Sequence, residues 1–449
     1  MSIDRTAGGA APWWQPVAVA PEARAAAPAG AAPPSRLSFW SLMAFTAVML
    51  LSPQSFVPGL AALRPALLAA AIAIVAHLAQ RASRAGEVAG GPAREVWIAG
   101  ALLAWAALTV PFSFWPGNSL ATLTELYAKS VVILWLLAGA IGTLDRLRTL
   151  CLGLSAMSVP LALTAVRHFR AGDFMQGVAT SRIAGYEAGL TENPNDLALM
   201  LNLLLPIAVA LLLTRPRGRL RVALLGVVAV DVAGVVVTFS RAGFLTLVAT
   251  GLVWAWKLRG RRERGYLYAV FALAVACLPL LPSGYALRLG TVLDTSSDPT
   301  GSAQARREDM TAALSFIADH PLVGAGIGQD VLALNAVRGP RWTAVHNVYL
   351  EYAVDLGLPG LALFVALLAG AVRSAGRVAR QTAGDPAWCE LSLLATGIQV
   401  SLLAFAVGGM FHPVSYQFYF YYVAGLAVAL HTVWARTAAG PALGRPIRG

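Results

Sequence analysis

The sequence predicts an all-α, polytopic integral membrane protein with about twelve transmembrane helices. Of its 449 residues, 57% are hydrophobic and only 12% are charged, whereas charged residues make up about a quarter of a typical soluble domain. The mean hydropathy is +0.66. Apolar runs of about 17–25 residues, enough to cross a hydrocarbon layer of about 30 Å as a helix, recur along the chain. A water-soluble globular protein is therefore excluded.

The apolar runs lie between residues 37 and 435, which we interpret as a single transmembrane domain. Each run is predicted to be a helix, because a bilayer offers backbone N–H and C=O groups no partner outside the protein. The predicted helices are 37–54, 59–80, 96–113, 120–142, 149–167, 193–214, 221–238, 243–257, 266–282, 350–372, 390–411 and 417–435.

The segments before and after this domain are predicted to be cytoplasmic tails. Residues 1–36 are rich in Ala and Pro and are expected to be disordered, since they cannot bury enough apolar surface to form a core. Residues 436–449 form the second tail. No basic segment with a small-residue cleavage site precedes the first helix, so this helix is expected to insert uncleaved.

Short basic links follow every second predicted helix, at residues 80–84, 145–148, 215–219, 257–262 and 373–380. The positive-inside rule places these links in the cytoplasm. An even number of spans then puts both termini inside and the loops 168–192 and 283–349 outside, in the periplasm if the host has a bacterial inner membrane. The same bias explains much of the net charge of +12, so no nucleic-acid partner is needed.

The second outer loop has internal order. Met310, Ala313, Leu314 and Ile317 repeat at helical spacing, which predicts a helix over 302–319 lying on the bilayer surface. The dipeptide at 320–321 ends this helix, because a residue before proline is disfavoured in the helical region. The glycine-rich run 324–328 has no strand before it, so we interpret it as a turn rather than a dinucleotide loop.

No metal or cofactor is predicted. Cys151, Cys277 and Cys389 form no CxxC pair, and the chain has no HExxH or P-loop motif. The acids of the outer loop lack a recognised ligand spacing, and the arginines beside Glu308 and Asp309 would repel a cation. A metal-dependent oligosaccharyltransferase is one alternative. A transporter or flippase is another, for which Asp231 in the seventh span is the strongest signal.

His346 is the residue that points most directly to chemistry. It lies at the edge of the predicted tenth helix, where the partial positive charge of a helix N-terminus disfavours the imidazolium form. A neutral imidazole accepts a proton, which suits a general base. The competing interpretation is a histidine that only caps the helix.

The outer side also carries more arginines than the positive-inside rule leads one to expect. A planar guanidinium makes paired hydrogen bonds to phosphate oxygens, which suits a lipid diphosphate. Pairing with acids or anionic lipid is the alternative for each of them. The candidates are Arg167, Arg170, Arg182, Arg241, Arg288, Arg306, Arg307, Arg338 and Arg341.

Several short runs, taken together, resemble the O-antigen ligase and polymerase superfamily, and the ligases most. The resemblance covers residues 180–365 well, and the outer spans match only in number and hydrophobicity. The runs are Arg182, Asn193-Pro194-Asn195, Thr238-Phe239-Ser240-Arg241, Arg307 with His320-Pro321-Leu322-Val323-Gly324-Ala325-Gly326, His346-Asn347-Val348-Tyr349-Leu350-Glu351, and Gly357-Leu358-Pro359-Gly360.

This resemblance implies an all-helical membrane glycosyltransferase of the C-type that acts on undecaprenyl-diphosphate-linked glycans outside the inner membrane. Such enzymes work without a metal and invert the anomeric carbon. A ligase of lipopolysaccharide biosynthesis uses lipid A-core sugar as the acceptor, a polymerase uses another lipid-linked repeat unit, and a third branch uses a protein Ser or Thr. The chain length and the absence of an added soluble domain favour the ligase slightly.

The resemblance also implies roles for particular residues. His346 is the expected base, Arg182 and Arg307 are the expected diphosphate ligands, and Arg241 is a weaker candidate. Adjacent positions on a helix point about 100° apart, so only one of Arg306 and Arg307 faces the site. Three further residues are possible substrate-lining groups: Tyr349, Glu351, which alternatively pairs with an arginine, and Asn195, which lies beside the predicted helix cap Asn193.

Overall fold

The computed structural model describes residues 35–83, 93–174, 183–186, 190–214, 217–260, 265 and 302–438. These residues are helical apart from turns, short 3₁₀ segments and one isolated bridge between Phe174 and Ile183. A π-helical segment is also present at Thr122–Tyr127. The α-helices are α1 Arg36–Leu51, α2 Pro65–Ser83, α3 Arg94–Thr109, α4 Pro116–Ala121, α5 Ala128–Ala140, α6 Leu144–Ala171, α7 Pro194–Thr214, α8 Arg219–Val237, α9 Arg241–Leu258, α10 Ser302–Asp319, α11 Asp330–Arg338, α12 Val348–Gln381, α13 Cys389–Gly408 and α14 Phe418–Ala438.

The protein is a polytopic, all-helical membrane protein. Among the described residues, nine helices are long and apolar enough to cross a membrane. The predicted count of twelve is not confirmed: α1 has only 16 residues, α9 falls outside the nine, and the predicted span 266–282 lies outside the described residues. Most of both predicted tails, at 1–34 and 439–449, also lies outside them.

The helices α7, α13 and α14 form the centre of the bundle. In their most apolar stretches 78%, 83% and 78% of the residues are buried, against 17% in the helix that includes α2. Glycines allow the central helices to approach closely, as is common between membrane helices. A Cβ on Gly397 of α13 would lie only 2.6 Å from the Cβ of Ala210 on α7.

Contacts between helix termini define two ends of the bundle. At the basic end, Arg148 near the start of α6 pairs with Glu390 at the start of α13. At the opposite end, which we call the site end, the residues after α13 meet the start of α7, and Asn202 of α7 donates to the carbonyl of Gly243 near the start of α9 at 3.0 Å. The start of α12 lies there too, since the Tyr349 hydroxyl donates to the Ala406 carbonyl at 2.8 Å.

The long helix α12 is broken at Gly357, where φ is +67° and ψ is −175°. Such a break frees backbone groups, which are costly to leave unpaired inside a membrane. The turn at 321–328 satisfies them: Ala325 N–H donates to Val354 O, Gly326 N–H to Asp355 O, and Leu358 N–H to Pro321 O, each at 2.8 Å.

The glycine-rich run 324–328 was predicted to be a turn because no strand precedes it, and the turn is confirmed. Gly324, Gly326 and Gly328 all have positive φ, at +71°, +94° and +72°. A Cβ on Gly324 would lie 2.4 Å from the carbonyl oxygen of Val354. Glycine is therefore required both for the conformation and for the close approach to the broken helix.

The predicted helix over 302–319 is present as α10, but its buried face differs from the prediction. Ala313 is fully buried, whereas Met310 and Leu314 are 47% and 58% exposed. The buried side instead carries Asp309, Ala312, Ala313 and Phe316, packed toward α11 and α12. The periodicity located the helix correctly, but the apolar stripe did not reveal which side packs on the protein.

Candidate active site

His346 lies immediately before the cap of α12. The Asn347 side chain accepts hydrogen bonds from the backbone N–H groups of Tyr349 and Leu350, at 2.9 and 3.2 Å. His346 is thus a neighbour of the cap rather than the cap itself. Its Nδ1 lies 2.8 Å from the carbonyl oxygen of Ala344, so Nδ1–H donates there and Nε2 carries the lone pair of the neutral ring.

Burial and then the positive charge of Arg306 lower the pKa of His346, against smaller opposing effects of the Ala344 carbonyl and Asp309. A lowered pKa keeps the imidazole neutral over a wider range of pH. The structure thus adds a nearby cation to the helix-terminus argument made from sequence. Both act in the direction that suits a base.

The two neighbouring arginines of α10 point in different directions. Arg306 is partly buried and its charge acts on both His346 and His412. Arg307 is exposed. Of the two, Arg306 is therefore the one whose charge acts on the histidines, and a diphosphate-binding role for Arg307 stays a prediction.

Arg338 and Arg341 have acidic partners. Arg338 Nε lies 3.0 Å from Asp309 Oδ1, with only 7% and 6% of the two side chains exposed. Arg341 pairs with Glu308, which like Asp309 lies on α10, and this pair is more exposed. For these two candidates the alternative of pairing with acids is correct, and the pairs fix α10 to the segment around α11.

Three buried carboxylates hold the backbone around the site. Asp330 accepts from the backbone N–H of Val345 at 2.8 Å, directly before His346. Asp355 accepts from the N–H groups of Gly328 and Gln329 at 2.8 and 3.0 Å. Burial raises the pKa of Asp330 even though backbone donors and Arg338 oppose the shift. Asp330 and Asp355 belong to no sequence motif and were not predicted as site residues.

Glu351 is the third of these carboxylates, and its partner is a serine. It is 8% exposed and accepts from the Ser415 hydroxyl at 2.7 Å and from the Ser415 backbone N–H at 3.3 Å. Among the described residues, the hydrogen-bond partner of Glu351 is therefore a serine rather than an arginine. Glu351 ties α12 to the segment between α13 and α14.

The turn between α8 and α9 carries Arg241 to the site end. Phe239 has φ of +54°, a left-handed conformation that costs a bulky residue on the order of 1–3 kcal/mol. It is buried and contacts the Phe169 ring at a centroid distance of 5.9 Å. Ser240 caps α9 by accepting from Gly243 N–H at 3.1 Å. Arg241, partly buried, is the first residue of α9.

The start of α7 joins this turn to the end of α13. Asn193 accepts from Asn195 N–H at 2.8 Å, so the predicted cap is confirmed. The side-chain oxygen of Asn195 accepts a hydrogen bond from the Ser240 hydroxyl at 2.8 Å. The backbone carbonyl oxygen of Asn195 lies 3.1 Å from Nε2 of His412. Sequence analysis did not single out His412, which lies beyond the runs that carried the resemblance. Arg182 lies outside the described residues.

Comparison with known proteins matches the segment that contains much of this site to one family. Residues 226–365 match the family model described as O-antigen ligase (Wzy_C). Over these residues, about a third of the chain, the protein is similar to the O-antigen ligase family. No curated protein matches the chain. The matched segment includes the α8–α9 turn, α10, α11, His346 and the break in α12.

The O-antigen ligase domain makes the protein an enzyme, a glycosyltransferase of the type that transfers lipid-linked glycans. Asn195 and His412 lie outside the matched residues and complete the site end from α7 and α13. Within the domain, Tyr349 is partly buried, and its hydroxyl is engaged with the Ala406 carbonyl. Its ring packs on Phe364 at 5.8 Å. A substrate-lining role for Tyr349 stays a prediction.

Proposed function

We propose that the protein is an O-antigen ligase, which transfers a glycan from undecaprenyl diphosphate to a sugar hydroxyl of lipid A-core at the periplasmic face of the inner membrane. The observation that carries the proposal is the pairing of a neutral, oriented imidazole with a cation. Nδ1–H of His346 donates a hydrogen bond to Ala344 O at 2.8 Å. The positive charge of Arg306 acts on the same ring.

The chemistry is an inverting displacement at the anomeric carbon. The acceptor O–H gives its proton to Nε2 of His346 while the oxygen bonds to the anomeric carbon, and the bond from that carbon to the diphosphate oxygen breaks. The electron pair leaves with the diphosphate, whose growing charge is stabilised by Arg306 and Arg241, together with Arg182 and Arg307 as predicted ligands. A positioned base contributes about 10²–10⁴ in rate. No metal is needed for any step.

The decisive experiment uses purified protein, a defined lipid-linked donor, and two competing acceptors, lipid A-core and a second lipid-linked repeat unit. We expect transfer to lipid A-core, and we expect His346→Ala to abolish it while leaving donor binding and thermal unfolding unchanged. His431→Ala, a change in α14 near the basic end, is the matched control. Near-normal transfer by His346→Ala would overturn the mechanism.

A polymerase is the close alternative, since the family match favours neither acceptor. A polymerase would extend the repeat unit in the same assay, and transfer to a protein Ser or Thr would indicate the third branch. A deletion strain gives the same distinction: loss of a ligase leaves long glycans on the lipid carrier, whereas loss of a polymerase leaves one repeat on lipid A-core.

Two other classes make different predictions. A transporter would keep moving substrate after His346→Ala. Asp231, its strongest sequence signal, is buried and accepts a hydrogen bond from the Ser158 hydroxyl at 2.9 Å. A metal-dependent enzyme would lose activity with a chelator.

The periplasmic position of the site is supported by the separation of the two ends. Arg148 and Glu390 lie at the basic end, opposite His346, and the positive-inside rule assigns basic links to the cytoplasm. Cys389 is exposed at that end, whereas Cys151 is buried. In a Cys151→Ser, Cys277→Ser background, we expect Cys389 in intact cells to resist a membrane-impermeant maleimide and to react with a permeant one. Labelling by the impermeant reagent would reverse the orientation.

A further inference from the structure

His412 has an unusual set of hydrogen-bond partners. It is only 1% exposed, its Nδ1 lies 2.7 Å from the carbonyl oxygen of Gly408, and its Nε2 lies 3.1 Å from the carbonyl oxygen of Asn195. Both partners are acceptors. A neutral imidazole has one N–H and leaves its other nitrogen lone pair facing a carbonyl oxygen, whereas an imidazolium donates to both.

The surroundings of His412 oppose that second proton. The charged or titratable groups that act on it are Arg306 of α10 and His346 before α12, while α7 and α13 present the neutral carbonyls of Asn195 and Gly408. Burial, Arg306 and His346 together lower the pKa of His412, although the two carbonyls raise it. The hydrogen-bond geometry and the local charge thus favour opposite protonation states.

An anion beside Arg306 would remove this conflict, because it cancels the repulsion that opposes the imidazolium. We propose that His412 takes up a proton from solvent when the diphosphate of the donor binds next to Arg306 and His346. The proton bonds to the ring nitrogen whose lone pair faces a carbonyl oxygen, and no other covalent bond is made or broken. This inference rests on the proposed function, because it requires a diphosphate donor.

The proton goes to His412 rather than to His346 because the two rings have different partners. His412 faces two carbonyl oxygens, whereas His346 faces one, that of Ala344. An added hydrogen-bond acceptor favours the charged ring. His346 therefore stays neutral as the base while His412 carries the positive charge.

Protonation of His412 also positions another candidate ligand. The imidazolium donates to Asn195, whose side chain holds the Ser240 hydroxyl at 2.8 Å, and Ser240 precedes Arg241. With both N–H groups in place, the end of α13, the start of α7 and the turn before α9 are joined while the donor is bound. His412 is thus a positioning residue, linked to the diphosphate by charge.

The test measures proton uptake on binding of undecaprenyl diphosphate, the lipid diphosphate part of the donor. Undecaprenyl diphosphate is titrated into the full-length protein in nanodiscs by calorimetry, in two buffers of different ionisation enthalpy. We expect wild type to take up about one proton more per lipid bound than His412→Gln. His346→Gln and His431→Gln should keep the wild-type uptake. The lipid's own titration is common to all four proteins and cancels in the comparison.

The affinity of wild type for the same lipid provides a second measurement that needs no variant. Between the pKa of free His412 and its higher pKa in the complex, affinity should fall about tenfold for each unit of rising pH. Below both values it should not depend on this group. His412→Gln should flatten the dependence, and its thermal unfolding should show that it still folds.

Each remaining outcome is decisive. If wild type binds the lipid with the same proton uptake as a folded His412→Gln, the inference is wrong and the proposed function is unaffected. If His346→Gln alone removes the uptake, the proton goes to His346 and the inference is wrong. If His412→Gln does not fold, a pH-independent wild-type affinity overturns it. Failure of wild type to bind undecaprenyl diphosphate overturns the proposed function as well.

Discussion

Arginine serves different purposes at the two ends of the bundle. At the basic end, Arg148 makes paired hydrogen bonds with Glu390, and Arg146 lies 5.2 Å from the centre of the Phe39 ring while donating to the Ala140 carbonyl at 2.9 Å. These contacts fix helix termini to one another. At the site end, Arg306 acts instead on two histidines, His346 and His412.

The site end itself contains both kinds of arginine. Arg338 is buried against Asp309 and holds α10 in place. Arg306 lies one helical turn before Asp309 on α10, and its charge lowers the pKa of both histidines. An excess of arginine on the outer side therefore does not by itself identify ligands of the donor. The role of each arginine depends on the partner of its guanidinium. Loss of the Asp309–Arg338 pair and loss of Arg306 should therefore cause different defects.

The largest effect is expected from the buried ion pair. Removing one partner of a buried pair leaves an uncompensated charge, which costs about 3–5 kcal/mol. Asp309→Asn and Arg338→Met should each lower the free energy of unfolding by about that amount, measured by denaturant titration in detergent. Neither side chain has a proposed contact with substrate, so any fall in kcat should come only from displacement of α10.

The double variant sharpens this prediction. Asp309→Asn with Arg338→Met removes both charges, so it should be less destabilised than the sum of the single changes. Arg341→Ala is the matched control, because its pair with Glu308 is about half exposed and such pairs contribute about 0–1 kcal/mol. Equal losses at Arg338 and Arg341 would contradict the difference in burial.

The sequence was sufficient to predict the helices but not the packing of polar groups between them. Hydropathy indicated the spans, because burial of apolar surface in lipid depends on local composition, and the spacing of apolar residues located α10. It did not predict that the stripe on α10 would leave Leu314 exposed, nor that Glu351 would bind Ser415, 64 residues away. Such pairings depend on tertiary neighbours.

The same limit applies to the site. His346 was found because a helix boundary and a motif run coincide there. Asp355 and His412 act through backbone partners brought together by the break at Gly357 and by the end of α13. Neither has a periodic or spacing signal. Choosing between Arg306 and Arg307 required the orientation of α10. The sequence of two adjacent arginines does not give that orientation.

The smaller effect is expected at Arg306, and its pH dependence distinguishes it from a purely structural residue. Arg306→Gln removes one charge that stabilises the leaving diphosphate, so kcat/KM should fall about hundredfold. Arg306 also lowers the pKa of His346. Its loss raises that pKa, so the neutral base is reached only at higher pH. The acidic limb of the kcat/KM profile should therefore move to higher pH.

Two matched arginine variants complete this comparison. Arg307→Gln, on the exposed side of α10, should leave the acidic limb of the profile in place even if it weakens donor binding. Arg148→Gln, at the basic end, should change neither kcat/KM nor the profile, and should lower stability by about 1 kcal/mol or less because its pair with Glu390 is partly exposed. A shift of the acidic limb with Arg307→Gln but not with Arg306→Gln would show that the other face of α10 meets the imidazole. Arg307 rather than Arg306 would then be the arginine whose charge acts on His346.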